Sequence, residues 1–350
     1  LRNRKTINEI RRLIIAILID DRTRILVQGI TGREAATFTK DMMDYGSKVV
    51  AGVTPGKQGQ TVHGIPVFDT VKEAVEKQKA NAAVVSVPPA FAKDAVMEAA
   101  DCGLSPIACL TERIPKRDVI EMVAYADLKG VKIIGPNSPG VISPAKRSKL
   151  GFLGGNNPER AFRPGHIGVI SRSGGMCTEV ANLVSNAGMG ISTAIGMGGD
   201  SVVGSTYLDL FPLFEQDPET HAMVLFCEPG GTKEDVLAEW IPGHFTKPVV
   251  AFFGGKFVDN MPGMRFGHAS VIVRPGSGAT RDKTRLFQQA GVKVVEVYSD
   301  IPKVLRELLR EKGKAAGKKI AVPRKKAAPA KRAVKKIGKN RKSKKGGKKQ

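Results

Sequence analysis

From residue 24 onward, short apolar runs alternate with amphipathic stretches. Arg24–Gly29, Lys48–Val53, Ala82–Val87, Pro106–Leu110 and Val131–Ile134 read as buried strands. Gly32–Tyr45, Val71–Lys79, Ala90–Cys102 and Arg117–Leu128 read as the helices between them. Such alternation indicates a parallel sheet covered by helices on both faces. A Rossmann-like α/β domain is therefore expected over residues 17–145. A Gly-, Pro- and Asn-rich stretch then reads as a linker, over 146–165. A second alternating series follows. Its strands are expected at Ile167–Ser171, Ile191–Ile195, Met223–Cys227, Val249–Phe253, Ser270–Val273 and Val292–Val297. Its helices are expected near Gly174–Ala187, Ser205–Gln216, Lys233–Trp240, Thr280–Ala290 and Ile301–Glu311. This predicts a second, flavodoxin-like open α/β domain over 166–311.

Composition changes this picture mainly at the ends. The chain has 350 residues, 41% hydrophobic and 25% charged, as a globular protein of about two domains should. Its net charge of +23 is concentrated in residues 312–350, which hold 18 Lys and Arg and no Asp or Glu, leaving only +5 for the rest. That tail lacks apolar periodicity, is broken by Pro and Gly, and is expected to be disordered. It reads either as a solvated extension or as a weak electrostatic tether to a polyanion such as nucleic acid. Residues 1–16 read as an N-terminal extension. The run Leu13–Ile19 is far shorter than the roughly 20 residues of a membrane span, and no cleavage-site pattern follows it. No membrane association and no signal peptide are expected. Cys102, Cys109, Cys177 and Cys227 form no CxxC pair, which fits a reducing, cytoplasmic setting, and no metal site is expected.

Candidate chemistry gathers at the turns. Gly29-Ile30-Thr31-Gly32 lies where the first strand meets the first helix, and its glycines let backbone approach a phosphate at the helix N-terminus. An NAD site would place an acid at the end of the second strand. Here that strand runs into Thr54-Pro55-Gly56-Lys57, and the lysine suits extra phosphates instead. A phosphate-rich adenine ligand such as coenzyme A fits better. Ser171-Arg172-Ser173-Gly174-Gly175-Met176 forms another strand-to-helix turn with a site for negative charge, although Ser173 could equally be an ordinary N-cap. Gly196–Asp200 is a glycine-dense loop. Glu228 follows a strand at the ligand edge of an open sheet, where it could hold one N–H of an imidazole. His268, in Phe266-Gly267-His268-Ala269-Ser270, sits in a permissive turn and is the strongest candidate nucleophile for a phosphoryl group.

Taken in order, these segments resemble the α subunit of succinyl-CoA synthetase, in the ADP- or GDP-forming acid–CoA ligase family. The resemblance covers roughly residues 17–311. It rests on GITG at 29–32, GVTPGK at 52–57, GIPVFDTVKEA at 64–74, TERIP at 111–115, IGPNSPGVISP at 134–144, SRSGGM at 171–176, GGD at 198–200, EPGG at 228–231 and FGHAS at 266–270. It implies that Gly29, Thr31, Gly32, Lys57, Val87, Pro88 and Glu112 contact coenzyme A. It implies that His268 becomes a phosphohistidine steadied by Glu228, with the phosphoryl group and substrate held at Ser173, Gly174 and Gly175. An ATP-grasp β subunit would bind ATP or GTP with Mg2+, and the complex would make succinyl-CoA or a related thioester of a small dicarboxylic acid in the tricarboxylic acid cycle. The chain departs from the family pattern at Ala35, Ser138, Pro229 and Ser270. It also carries Gly175-Met176 where succinate enzymes usually carry Thr-Leu, as the citrate-using members ATP-citrate lyase and citryl-CoA synthetase do. The absent side chain at Gly175 would leave room for a tricarboxylate, so a citrate-using small subunit is the alternative. A non-enzymatic CoA-binding regulator would need neither His268 nor Glu228.

Overall fold

The computed structural model describes residues 17–274 and 276–315. The N-terminal extension lies outside them, and so does the tail from residue 316. The first unit contains β1 (Arg24–Gln28), α1 (Arg33–Tyr45), β2 (Lys48–Val53), β3 (Thr61–Val62), β4 (Ile65–Phe68), α2 (Val71–Gln78), β5 (Ala82–Val85), α3 (Pro89–Asp101), β6 (Ile107–Cys109), α4 (Lys116–Leu128) and β7 (Ile133–Ile134). The strands are ordered β3-β4-β2-β1-β5-β6-β7, parallel except for the β3–β4 pair. β1 and β5 are buried on both faces, as their unbroken apolar runs require. β1 connects through α1 to β2 on one side and is flanked by β5 on the other. That reversal opens a crevice at its carboxyl end, and Gly29 stands there. Its φ is +81°, and a Cβ would overlap the Ser86 carbonyl oxygen, so only glycine fits.

The second unit contains β8 (Gly140–Ser143), β9 (Ser148–Gly151), β10 (Pro164–Ser171), α5 (Gly174–Asn186), β11 (Ile191–Gly196), α6 (Tyr207–Gln216), β12 (Ala222–Cys227), α7 (Lys233–Trp240), β13 (Val249–Phe253), α8 (Thr280–Gln289), β14 (Lys293–Val295) and α9 (Ile301–Ala315). Its order is β14-β13-β12-β10-β11-β8-β9. The strands from β14 to β11 are parallel, while β8 pairs antiparallel with β11 and β9 with β8. The sheet is therefore mixed. Residues 140–145, expected to end the first domain, and 146–151, expected to begin a linker, form this edge hairpin. The pairing covers the edge of β11 and buries both strands of the hairpin throughout. Lys149 is buried there; its ammonium donates to the Gly155 carbonyl at 2.6 Å, and burial pulls its pKa down to about 8.

Two further expectations change. Ser270–Val273 forms no strand; one isolated bridge joins Arg265 to Ile272. Val271 and Val273 alternate as a strand would, but they bury against Val258 and Ala279 in a small local cluster. The last helix runs on to Ala315, so ordered chain extends past residue 311, where the tail was expected to begin. No helix among the described residues is long and apolar enough to cross a membrane.

The two sheets meet in one of the apolar clusters, while two other large clusters lie apart from it. The shared cluster includes Val27, Ile134, Leu150, Ile195 and Phe253. At its edge the Ser47 hydroxyl donates to the Lys149 carbonyl at 2.9 Å and accepts from the Lys149 N–H at 2.8 Å.

Candidate active site

In the second sheet the reversal falls at β10, which lies between β11 and β12. Its carboxyl end leads into Arg172, Ser173 and the N-terminus of α5, while β12 ends at Cys227 and delivers Glu228. His268 arrives from a loop closed by hydrogen bonds from the Phe266 N–H to the Val271 carbonyl and from the Val271 N–H to the His268 carbonyl. Glu228 and His268 meet although 40 residues separate them. Nδ1 lies 2.8 Å from Glu228 Oε2 and 3.0 Å from Oε1. An ionised carboxylate only accepts, so Nδ1 carries the proton, and in the neutral ring Nε2 keeps the lone pair. The Glu228 hydrogen bond raises the pKa of His268; burial and the Arg172 charge oppose the rise, and Asp200 adds to it.

Gly199 forms the floor under the ring. A Cβ there would overlap the imidazole, so the close approach depends on glycine. Ser173 is the N-cap of α5, its Oγ accepting from the Met176 N–H at 3.4 Å. The first turn of α5 has no acidic residue to offset the helix dipole. A Cβ on Gly174 would press against Pro139, whereas one on Gly175 would enter open space.

Sequence reasoning missed the charges behind this pair. Arg172 is 2% exposed and pairs with Glu234 Oε1 at 3.0 Å; Lys283 pairs with Glu234 Oε2 at 3.0 Å. Burial pushes Glu234 toward its neutral form, but Arg172 and Lys283 outweigh it and hold its pKa low. Lys233 donates to the carbonyls of Asp200 and Ser201, tying α7 to the glycine loop, and burial draws its pKa to about 8. Arg172 was in view within SRSGGM, but its partners are 56 to 98 residues away and gave no local signal.

At the first crevice, Gly29, Thr31, Gly32, Val87 and Pro88 line a largely apolar cavity of about 740 Å3. An adjoining groove of about 840 Å3 shares Gly32, Val87 and Pro88 and adds Glu112. Thr31 Oγ1 donates to Thr54 Oγ1 at 3.2 Å, joining the turn after β1 to that after β2. Lys57 lines neither space. Its side chain is exposed, and its N–H donates to Asp69 Oδ1 at 3.1 Å. Arg33, in the first turn of α1, lines the groove and was not anticipated.

The comparisons agree with this division. A family model described as CoA binding domain matches residues 20–113, and one described as CoA-ligase matches residues 170–293. The ATP citrate lyase of Methanothrix soehngenii, solved with citrate and coenzyme A, superposes with a TM-score of 0.79 and 25% identity over 90% of this chain. The present chain spans about half of that one, 55% of its length. A dinucleotide-forming acetyl-coenzyme A synthetase from Ca. Korarchaeum cryptofilum shares the fold, with a TM-score of 0.65 and 18% identity over 81% of this chain and 61% of its own. Succinate–CoA ligase [ADP-forming] subunit alpha of Staphylococcus aureus is 43% identical over 85% of this chain and 97% of its own length. Subunit alpha 1 of the enzyme from Archaeoglobus fulgidus is 46% identical over 84% of this chain and 99% of its own. Identity at that level, over nearly the full length of these relatives, means that this chain belongs to the succinate–CoA ligase α-subunit family of acid–CoA ligases.

Proposed function

We propose that this chain is the α half of a two-subunit acid–CoA ligase in which His268 carries a phosphoryl group from a nucleotide to a carboxylic acid. The observation that carries the reading is the grip of Glu228 on Nδ1 of His268, which presents the Nε2 lone pair. In the first step Nε2 takes the γ-phosphoryl of ATP or GTP; an N–P bond forms as the nucleoside diphosphate leaves. Positive charge grows on the ring, and the Glu228 carboxylate stabilises it. A carboxylate oxygen of the acid then takes the phosphoryl group, and the N–P electron pair returns to Nε2. The CoA thiolate attacks the resulting acyl phosphate at its acyl carbon and releases inorganic phosphate. The Ser173 N–H is already engaged by the Ser171 hydroxyl at 3.1 Å, so the Gly174 and Gly175 N–H groups at the start of α5 are the donors for the phosphoryl oxygens, with the Ser173 hydroxyl beside them.

The first crevice suits coenzyme A. Its apolar cavity fits the pantetheine arm, and the glycine turn before α1 fits a pyrophosphate. We assign Gly29, Thr31, Gly32, Val87, Pro88 and Glu112 to this ligand, with exposed Lys57 reaching a phosphate from outside the cavity wall. The nucleotide and Mg2+ are assigned to an ATP-grasp β subunit. A cytoplasmic setting is consistent with the four free cysteines.

The acid is proposed to be succinate or another small dicarboxylate. Citrate is the second reading, favoured by the open space at Gly175 and by the likeness to an ATP citrate lyase. Incubating the chain and its β partner with γ-labelled nucleotide tests the carrier. The expected result is base-stable, acid-labile label that is absent from His268→Asn. Retention of the label in that variant overturns the assignment. CoA-thioester assays with succinate and citrate side by side settle the acid.

A further inference from the structure

The Arg172 guanidinium lies between the segments that bring Glu228 and His268 together. Nη1 donates to the Glu228 carbonyl at 3.1 Å and to Glu234 Oε1 at 3.0 Å. Nε lies 3.7 Å from Glu228 Oε2. Nη2 donates to the Ser270 hydroxyl. Ser270 in turn donates to the Gly199 carbonyl at 2.7 Å, and Gly199 is the floor beneath the imidazole. One side chain thus touches the strand end bearing Glu228 and the turn bearing His268. Through Ser270 it also reaches the surface on which the ring rests. Its backbone immediately precedes Ser173, the N-cap of α5.

Burying charge in this way is a poor route to stability, because well-packed apolar residues of the same volume often do as well or better. Apolar side chains could not, however, aim several separate loops by directional hydrogen bonds. A guanidinium can, since its planar fork donates along fixed directions.

We propose that Arg172 and Ser270 are positioning residues for phosphoryl transfer. Arg172 fixes Glu228, and Ser270 links Arg172 to the His268 turn and to Gly199, so that Nε2 is held in one place relative to the N-terminus of α5. This rests on the reading of His268 as the phosphoryl carrier. Arg172 has an electrostatic part as well. The charged groups facing the imidazole are Glu228 and Asp200, which favour its protonated form, and Arg172, which opposes it. Arg172 therefore keeps more of the ring in the neutral form that attacks phosphorus.

Two measurements test the clamp. In the complex with the β subunit, single-turnover labelling from γ-labelled nucleotide follows phosphorylation of His268. Ser270→Ala is expected to slow it about tenfold, the scale of a small misplacement of a reacting group, and Ser270→Thr to restore most of the rate. On the full chain alone, nitrogen NMR of His268 reads tautomer and titration without any partner. The wild type should show one Nδ1–H tautomer and Ser270→Ala a mixture. Arg172→Met should move the titration to higher pH. Arg172→Lys should hold it near the wild-type position yet still transfer slowly, because an ammonium lacks the fork. A wild-type rate and a single tautomer in Ser270→Ala overturn the proposal, and so does an unmoved titration in a folded Arg172→Met. Should Arg172→Met fail to fold, the Ser270 pair decides. A wild type that takes no label refutes the carrier reading instead, and the NMR result then judges the clamp separately.

Discussion

Replacing Glu228 with Gln separates how the imidazole is oriented from how often it is neutral. The amide oxygen of Gln can still accept from Nδ1–H, so the ring keeps a partner at the 2.8–3.0 Å now spanned by the carboxylate. What disappears is the negative charge opposite a ring that becomes cationic as the N–P bond forms. A hydrogen bond to a charged group contributes about 1.5–3 kcal/mol, against about 0.5–1.5 for a neutral pair. The difference of about 1–1.5 kcal/mol corresponds to about a tenfold slower phosphorylation. The pH dependence should move the opposite way. Glu228 is the main reason that the pKa of His268 is raised. Wild-type phosphorylation should therefore rise as pH climbs through that raised value, and in Glu228→Gln the rise should come at lower pH. The variant is then slower even where more of its imidazole is neutral. Rapid-quench labelling across pH 5–9 (a range of about four units around the ordinary histidine value) reads both effects. An unchanged plateau rate together with an unchanged midpoint would refute the argument.

Gly199→Ala places a methyl group where the His268 ring lies, and should cut phosphorylation at least about tenfold while circular dichroism and CoA binding stay normal. Lys283→Met removes one of the two cations holding buried Glu234. It should cost about 3–5 kcal/mol of stability, read as a lowered midpoint in urea. His221 stacks on His166 at 4.2 Å, and burial lowers its pKa. The unfolded chain therefore binds this proton first. Stability from His221 is present above about pH 6.5 and lost as pH falls toward the lower folded value. His221→Phe should flatten the decline in melting temperature between about pH 7 and 5; an unchanged slope counts against the account.

Much of the framework was legible because β1, β5, β12 and the second half of β10 are short apolar runs, and nearly every residue in them is buried. The β8–β9 hairpin was not. Its strands are set among Pro136, Pro139, Gly140 and Pro144, whose composition is that of a loop. Only pairing with β11, some 50 residues later, reveals them as strands. The opposite error befell Ser270–Val273, where alternating valines serve a local cluster rather than a sheet. At the site, the order of motifs brought His268 and Glu228 into view. Their contact, the floor at Gly199 and the reach of Arg172 depend on how distant loops converge, which no local pattern encodes. Lys57 shows the converse, since a glycine turn with a lysine suggested a phosphate contact but says nothing of where the side chain points.

The reciprocal hydrogen bonds between Ser47 and Lys149, and the apolar cluster in which both sheets meet, bear on how distance is covered during turnover. A hinge between the sheets would have to break that pair and open shared apolar surface. The strand ends that form the crevice beside Gly29 and those that deliver Arg172 and Glu228 therefore share one framework, while His268 comes from a loop with its own small cluster. On the proposed reading, the gap between a thiol at the first crevice and a phosphoryl group on His268 is left to the ligand's own arm and the His268 loop to span. On that reading the joined sheets are the bench, and the pieces that move across it are small ones.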